Sequence, residues 1–205
     1  MSRPAPVALV VGRPGVGKSA LLRLLGSAGG EAGRGWSLRA SLARRPPERE
    51  RGVPALGVAR RLLLFDAGRG RVEALLVVEG AAVPERLPEA VAERRRLGET
   101  LLLLEEAALV LHVLDGPSLG GEGGENWLHP LDAELQALGA RRPAYAAVVS
   151  GIDRTWGPTG LARLRERWPG VPVFPFGAST REGVREIRAW LRGQVTGARP
   201  RRDVR

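Results

Sequence analysis

The sequence predicts an α/β domain in three layers, with a six-stranded, mostly parallel sheet and one antiparallel edge strand. Three observations lead to this prediction. Apolar runs of strand length alternate with segments of helical periodicity along the chain, as in parallel sheets covered by helices. Several runs are continuously apolar, which is typical of strands buried on both faces. One pair of runs is joined by the Gly-rich stretch DAGRGR, which predicts a hairpin and hence an antiparallel pair.

The predicted elements follow one another in a regular order. Short runs rich in Val, Leu, Ala and Phe predict strands at residues 7–11, 58–65, 72–78, 109–114, 144–149 and 171–176. Apolar residues three and four positions apart predict helices at residues 18–25, 87–104, 127–138, 161–168 and 183–191. Gly, Pro and Arg dominate residues 26–57, which predicts a long loop, and the stretch GPSLGGEGGEN at residues 116–126 predicts a flexible one.

Length and composition limit the kinds of function that the chain can have. Its 205 residues suit a single domain, which we place at residues 1–195, followed by a basic tail at 196–205 that we expect to be disordered. The absence of cysteine excludes disulfides, zinc sites built on thiolates and cysteine nucleophiles. Two histidines, His112 and His129, do not favour a histidine-rich metal site. We interpret His112, inside the fourth strand, as a core or sheet-end residue.

The chain is strongly basic, with a net charge of +10. This charge fits a nucleic acid or an acidic membrane surface as a partner. It also fits a general preference for arginine, since the arginines are scattered along the chain, and both interpretations stay open. No signal peptide and no apolar run long enough to span a membrane is present in the sequence. We therefore expect a cytoplasmic protein.

The stretch GRPGVGKS, residues 12–19, carries the clearest functional signal. It follows a predicted strand and opens a predicted helix, which is the context of a phosphate-binding loop. In such a loop the backbone N–H groups and the helix N-terminus face a phosphate. The expected nucleotide-binding residues here are Gly12, Gly15, Val16, Gly17, Lys18, Ser19 and Ala20.

Lys18 is the only lysine in a chain with 32 basic residues. A compact ammonium on a flexible stem can leave a tight loop and reach the β- and γ-phosphates, whereas a guanidinium is wider and fork-shaped. Lys18 is therefore the candidate catalytic residue as well as a binding residue. The Ser19 hydroxyl is a candidate ligand of Mg²⁺.

From about residue 5 to 194 the order of elements resembles the Ras-like P-loop GTPase domain, or G domain, of the translation-factor-related Era, Obg and HflX type. The stretch EEAALVLHVLDGPS resembles the fourth strand of these domains, and REGVREIRAWL resembles their last helix. The resemblance implies GTP and GDP as ligands, with Mg²⁺ as the cofactor.

The base-recognition motif of that family, Asn-Lys-x-Asp, is altered here to Ser150-Gly151-Ile152-Asp153. The resemblance implies that Asp153 accepts two hydrogen bonds from guanine, and that Ser150 makes part of the asparagine's bonds. Gly151 lacks the aliphatic stem of the family's lysine. The family's Ser-Ala-x loop corresponds to residues 177–179, which implies Ala178 and Ser179 as further base contacts; a helix-capping role for Asp153 is the alternative.

The family's Asp-x-x-Gly motif has two competing matches. In one, Asp66 begins the motif, although the glycine at 68 comes one position early. In the other, which we prefer, Asp66 lies in the hairpin turn and the motif corresponds to residues 79–82, with Glu79 as a second metal-binding residue. No threonine precedes Thr100 to match the first switch loop of the family; the serines at 37 and 41 are the available substitutes.

These altered motifs lead to three hypotheses about function. The first is a small GTP-binding regulatory switch with weak or partner-dependent hydrolysis, in contact with a regulator or effector protein. The second is a pseudo-GTPase scaffold that acts through protein contacts without significant hydrolysis. The third is an RNA- or ribosome-associated factor, suggested by the net charge of +10 and by the resemblance. Whether the chain is an enzyme stays open at this point.

Overall fold

A computed structural model describes residues 5–27, 59–68, 70–84, 86, 88–121 and 127–197. The strands are β1 (Val7–Val11), β2 (Arg60–Gly68), β3 (Arg71–Glu79), β4 (Leu109–Asp115), β5 (Ala144–Ser150) and β6 (Val173–Phe176). The helices are α1 (Lys18–Ser27), α2 (Val91–Glu106), α3 (Gly116–Gly120), α4 (Pro130–Gly139), α5 (Gly157–Arg167) and α6 (Val184–Thr196).

These six strands form one sheet in the order β2-β3-β1-β4-β5-β6. Among them, the β2–β3 pair alone is antiparallel, and β2 lies at the edge. The predicted fold class is therefore confirmed. Because β1, β3, β4, β5 and β6 run in the same direction, their carboxyl ends meet at one edge of the sheet. Ligands of open α/β sheets bind at that edge, so the loops that leave it carry the candidate site.

The two faces of the sheet are covered by different helices. Alternate residues of β1 show the division, because Ala8 and Val10 pack with α1 and α6, whereas Leu9 and Val11 pack with α2 and α4. A third cluster places α3 and α5 against the β4 and β5 strands. The strand and helix period of the sequence thus produces three layers with the core on both sides of the sheet.

Several predicted boundaries differ from the structure. The predicted flexible loop at 116–126 begins with the short helix α3, whose Asp115 cap accepts a hydrogen bond from the Ser118 N–H; residues 122–126 lie outside the described part. Helix α5 begins at 157 rather than 161, with a proline in its first turn. Helix α1 continues through the first two residues of the predicted loop at 26–57, and the remainder of that loop is not among the described residues.

Helix α2 begins at Val91, four residues after the predicted start, and strand β6 begins at Val173 rather than 171. Helix α6 ends at Thr196, one residue into the predicted tail, of which residues 198–205 lie outside the described residues. Within the described ranges, no helix combines the length and the apolarity needed to cross a membrane.

Candidate functional site

The loop between β1 and α1 is anchored in the core at Gly12 and Val16, whereas Pro14 and Gly15 between them are exposed. Gly12 is buried and has a φ of 151°. A Cβ at this position would lie 2.3 Å from the Val113 carbonyl oxygen on β4. Val16 is buried in the cluster that contains α1. Only glycine satisfies both the backbone angle and the close approach at position 12, so core packing fixes the start of the loop.

Lys18 lies across this loop, with only 6% of its surface exposed. Its Nζ donates hydrogen bonds to the carbonyl oxygens of Gly12, at 3.0 Å, and Arg13, at 2.8 Å. Burial lowers the pKa of the Lys18 ammonium, and the Glu79 carboxylate opposes that shift. The buried ammonium lies just beyond the end of β1, where an anionic ligand would offset the cost of burying its charge.

Ser19 and Glu79 meet beside Lys18. The Ser19 hydroxyl donates to Glu79 Oε1 at 2.5 Å, joining the start of α1 to the end of β3. Asp66 lies elsewhere, beside the β2–β3 turn, where its Oδ1 accepts the Gly68 N–H at 2.7 Å. Of the two alternatives left by the sequence, the structure places Glu79 rather than Asp66 beside the loop.

A hydroxyl and a carboxylate oxygen side by side are hard donors of the kind that Mg²⁺ prefers. No group of three or more His, Cys, Asp or Glu among the described residues is arranged to hold a metal. Mg²⁺ usually takes one or two protein ligands together with substrate phosphates and water, and Ser19 and Glu79 supply two oxygens of this kind. Ser19 and Glu79 therefore fit this ion.

The segment that follows β3 is held by hydrogen bonds to the rest of the domain. The Gly80 N–H donates to the Val10 carbonyl at 2.9 Å, and the Val83 N–H donates to the Gly12 carbonyl at 3.2 Å. The Ala81 N–H donates to Thr100 Oγ1 on α2 at 2.8 Å. Three N–H groups in residues 80–83 are thus directed into the protein.

The second half of the site lies beyond β5. Ser150, the last residue of β5, is buried and donates its hydroxyl to the Leu114 carbonyl at 3.1 Å. Asp153 is exposed and accepts hydrogen bonds from the Ser179 hydroxyl and, at 3.4 Å, from the Ser179 N–H. The Ser179 side-chain bond lowers the pKa of Asp153, with a smaller contribution from Arg154. The loops after β5 and β6 are therefore joined through one ionised carboxylate.

A cavity of about 280 Å³ lies beside the phosphate loop. Its lining comes from the phosphate-loop residues and from the loops after β4 and β5, namely Arg13, Pro14, Gly15, Val16, Asp115, Ser118 and Arg154. Two of these lining residues are paired, since Arg154 Nη2 donates to Asp115 Oδ1 at 2.5 Å. The walls of the cavity therefore contain Arg13 of the phosphate loop and the Asp115–Arg154 ion pair.

Two kinds of comparison relate this arrangement to known proteins. Over 188 residues the chain is 30% identical to GTPase Obg of Geobacillus kaustophilus (strain HTA426), covering 87% of this chain and 37% of that protein. The phosphate loop and the order of the strands indicate the same kind of protein as this sequence similarity. The chain has the G-domain fold of P-loop GTPases, and it is similar in sequence to an Obg GTPase of which it spans 37% of the length. No protein-family model matches it.

Solved structures with the same fold include several other G domains. The structure of an Era variant from Aquifex aeolicus bound to GDP and AlF4⁻ aligns with a TM-score of 0.61 and 18% identity, covering 94% of this chain and 57% of that one. The G domain of the T. maritima FeoB iron transporter aligns with a TM-score of 0.54 and 18% identity, over 93% and 99% of the two chains. A GTP-binding protein from Sulfolobus solfataricus in complex with GDP aligns with a TM-score of 0.60 and 16% identity, covering 95% of this chain and 53% of that one.

The G domain also contains a buried polar network that reaches the phosphate loop. Arg13 Nε bonds Asp132 Oδ2 on α4 at 2.9 Å, and Asp132 is 1% exposed. Asp132 Oδ1 lies 3.3 Å from Nε2 of His112, and Nδ1 of His112 lies 2.9 Å from the Tyr145 hydroxyl. Since a carboxylate only accepts, Nε2 of His112 is the donor to Asp132. Burial, aided by Asp132, raises the pKa of Tyr145.

The expected residues gather at one edge of this G domain in two groups. The first group, after β1, contains Gly12, Gly15, Val16, Gly17, Lys18, Ser19 and Ala20, and Glu79 joins it from β3. The second contains Ser150, Asp153, Ala178 and Ser179. Four residues around the site were not predicted from the sequence, namely Arg13, Asp132, Asp115 and Arg154. A signal existed only for Asp115, which precedes Gly-Pro-Ser in the pattern of a helix cap.

Proposed function

We propose that this G domain binds GTP and GDP with Mg²⁺, and acts as a regulatory switch whose hydrolysis is weak or depends on a partner. The observation that carries the proposal is the buried Lys18 in the phosphate loop, with the Ser19–Glu79 pair beside it. Asp153 lies at the same edge of the sheet, after β5. One ligand with phosphates at one end and a hydrogen-bonding base at the other would use both groups.

The phosphate end of the ligand would lie on the loop at residues 12–19. Its anionic oxygens would take the Lys18 ammonium and the N–H groups at the start of α1, where the helix dipole adds positive charge. Ser19 and Glu79 would hold Mg²⁺, directly or through water. When bound, the ion neutralises charge on the β- and γ-phosphates.

The base end would lie against the loops after β5 and β6. Asp153 is held ionised by Ser179, and a carboxylate in this state accepts two hydrogen bonds from a base that offers two donors side by side. Guanine offers such a pair at N1 and its exocyclic amine, whereas adenine does not. A site built around paired donors discriminates strongly against a base that lacks them, so this carboxylate supports guanine.

Slow hydrolysis is supported by the segment after β3. Hydrolysis requires groups arranged around the γ-phosphate, and the N–H groups of Gly80, Ala81 and Val83 bond within the domain instead. The serines at 37 and 41, expected as substitutes for the missing threonine, lie outside the described residues. Lys18 is the candidate catalytic group, through its interaction with the β- and γ-phosphates.

A pseudo-GTPase scaffold is the second candidate function, favoured by the same internal hydrogen bonds after β3. A ribosomal or RNA partner is a further proposal, and a protein regulator or effector belongs to the switch hypothesis. The charge of +10 supports the RNA partner. An Era structure in complex with MgGDPNP and nucleotides 1506–1542 of 16S ribosomal RNA shares the fold, with a TM-score of 0.62 and 18% identity. We place these activities in the cytoplasm.

Titration with GTP, GDP and ATP, with and without Mg²⁺, followed by single-turnover hydrolysis, tests the main proposal. We expect guanine nucleotides to bind, ATP to bind much more weakly, and hydrolysis to be slow in the isolated domain. Equal affinity for ATP and GTP would refute the proposed role of Asp153 in recognising guanine. If Lys18→Ala leaves nucleotide affinity unchanged, the proposed phosphate-binding role of the loop is refuted. Fast hydrolysis by the isolated domain would contradict the proposal of weak hydrolysis. Binding to RNA that does not weaken steeply with salt would argue against a phosphate-backbone partner.

A further inference from the structure

The turn after β5 folds an arginine back over a glycine. Gly151 has a φ of 65°, and the Arg154 N–H donates to its carbonyl at 3.0 Å, which closes the turn. A Cβ at Gly151 would lie 2.7 Å from Arg154 Nε and 2.8 Å from Nη2. The guanidinium therefore occupies the space that a side chain at position 151 would otherwise take.

Asp115 holds this guanidinium in place. Its Oδ1 accepts from Arg154 Nη2 at 2.5 Å, while its Oδ2 accepts from the Ser118 N–H at 3.1 Å and the Ser118 hydroxyl at 2.6 Å. The carboxylate is thus fixed at the junction of β4 and α3. The Arg154 side chain remains 60% exposed, so its plane is oriented by the ion pair yet accessible to a ligand.

The guanidinium of Arg154 lies close to the phosphate loop of the candidate site. Arg154 follows Asp153 directly in the chain, and it lines the cavity of about 280 Å³ together with the phosphate loop, residues 13–16. Its guanidinium therefore lies next to the loop that would hold the phosphates, on the residue that follows the carboxylate that would accept the base. A nucleoside that bridges these two groups would lie within reach of the guanidinium.

We infer that Arg154 is a nucleotide-binding residue whose guanidinium packs against the face of the bound guanine. The inference rests on the proposed function and adds a contact to the same site. A guanidinium is planar and weakly hydrated, and it packs favourably on aromatic faces. Gly151 then has a defined role, because any side chain there would displace the guanidinium.

Isothermal titration with GDP and with pyrophosphate, both in the presence of Mg²⁺, tests this inference. Pyrophosphate reports on the phosphate loop alone because it carries no base. We expect Arg154→Ala to weaken GDP binding about tenfold and to leave pyrophosphate binding unchanged. Arg154→Lys should also weaken GDP binding, since it keeps the charge but loses the plane. Gly151→Ala should act in the same direction by displacing Arg154.

Arg167→Ala is the matched control, because it removes the same charge from the last turn of α5, far along the helix from the turn. Equal GDP affinity in Arg154→Ala and the wild-type domain would overturn the inference and leave the proposed function intact. Equal losses for GDP and pyrophosphate would also overturn it, because Arg154 would then act on the phosphates. Wild-type protein that binds pyrophosphate but not GDP would instead refute the proposed function and, with it, this base contact.

Discussion

The phosphate loop and the base-side turns of this G domain are built in different ways. In the phosphate loop, Gly12 and Lys18 are buried, and contacts with β4 and backbone carbonyls fix them. On the base side, Asp153, Arg154 and Ser179 are exposed, and hydrogen bonds between their side chains and the loops hold them. The phosphate site is therefore continuous with the core, whereas the base site is a surface arrangement. Substitutions should affect folding in the first and mainly specificity in the second.

Gly12→Ala should give the largest effect on folding. The added Cβ would lie 2.3 Å from the Val113 carbonyl in a backbone conformation that alanine rarely adopts. We expect the free energy of unfolding to fall by about 3 kcal/mol, measured by urea denaturation. Gly98→Ala is the control, since Gly98 lies inside α2 with open space around it. That substitution should raise stability by about 0.5–1 kcal/mol; equal effects at both positions would contradict the packing argument.

Lys18→Met should give the largest effect on binding. It keeps much of the buried stem but removes the charge that would reach the phosphates. We expect GTP and GDP affinity to fall about a hundredfold, or about 3 kcal/mol, as measured by fluorescence titration. Lys18→Arg keeps the charge in a wider group and should also bind weakly. Wild-type affinity in the arginine variant would show that the compact shape of the ammonium is not required.

Asp153→Asn should change specificity more than stability. The amide replaces one acceptor oxygen with a donor, so guanine loses part of its paired contact. We expect GDP affinity to fall about thirtyfold, or about 2 kcal/mol, while ADP and pyrophosphate affinities change little. The measurement is the ratio of GDP to ADP dissociation constants. If this ratio stays constant, Asp153 caps the turn and does not read the base.

Ser179→Ala should have the smallest effect and a defined dependence on pH. The Ser179 hydroxyl lowers the pKa of Asp153 in the folded state, so the bond stabilises the fold above the unfolded-state pKa of the carboxyl. That stability is lost as pH falls through the lower, folded-state pKa. Denaturation of both proteins across acidic pH should show a small deficit in the variant at neutral pH that disappears in acid. If the stability deficit of the variant instead grows as pH falls, the Ser179 bond does not lower the pKa of Asp153.

The sequence was sufficient for the architecture and for the phosphate loop, because both depend on local patterns. Runs of apolar residues predicted all six strands, and GRPGVGKS predicted Lys18 at the start of α1. It was insufficient where residues meet across long separations. Arg13 and Asp132 are 119 positions apart and Asp115 and Arg154 are 39 apart, so no spacing rule could pair them. Helix α3 was missed because its glycines suggested a loop.

The hydrogen bonds after β3 have a consequence for how nucleotide occupancy would respond to supply. A triphosphate that recruits the N–H groups of Ala81 and Val83 must first break their bonds to Thr100 and Gly12. A diphosphate, which ends before that point, leaves them intact. At about 1 kcal/mol for each bond, this cost opposes the extra affinity of the third phosphate. The bound state of the domain would then follow the ratio of GTP to GDP in its surroundings more closely than in a domain whose N–H groups had no such partners.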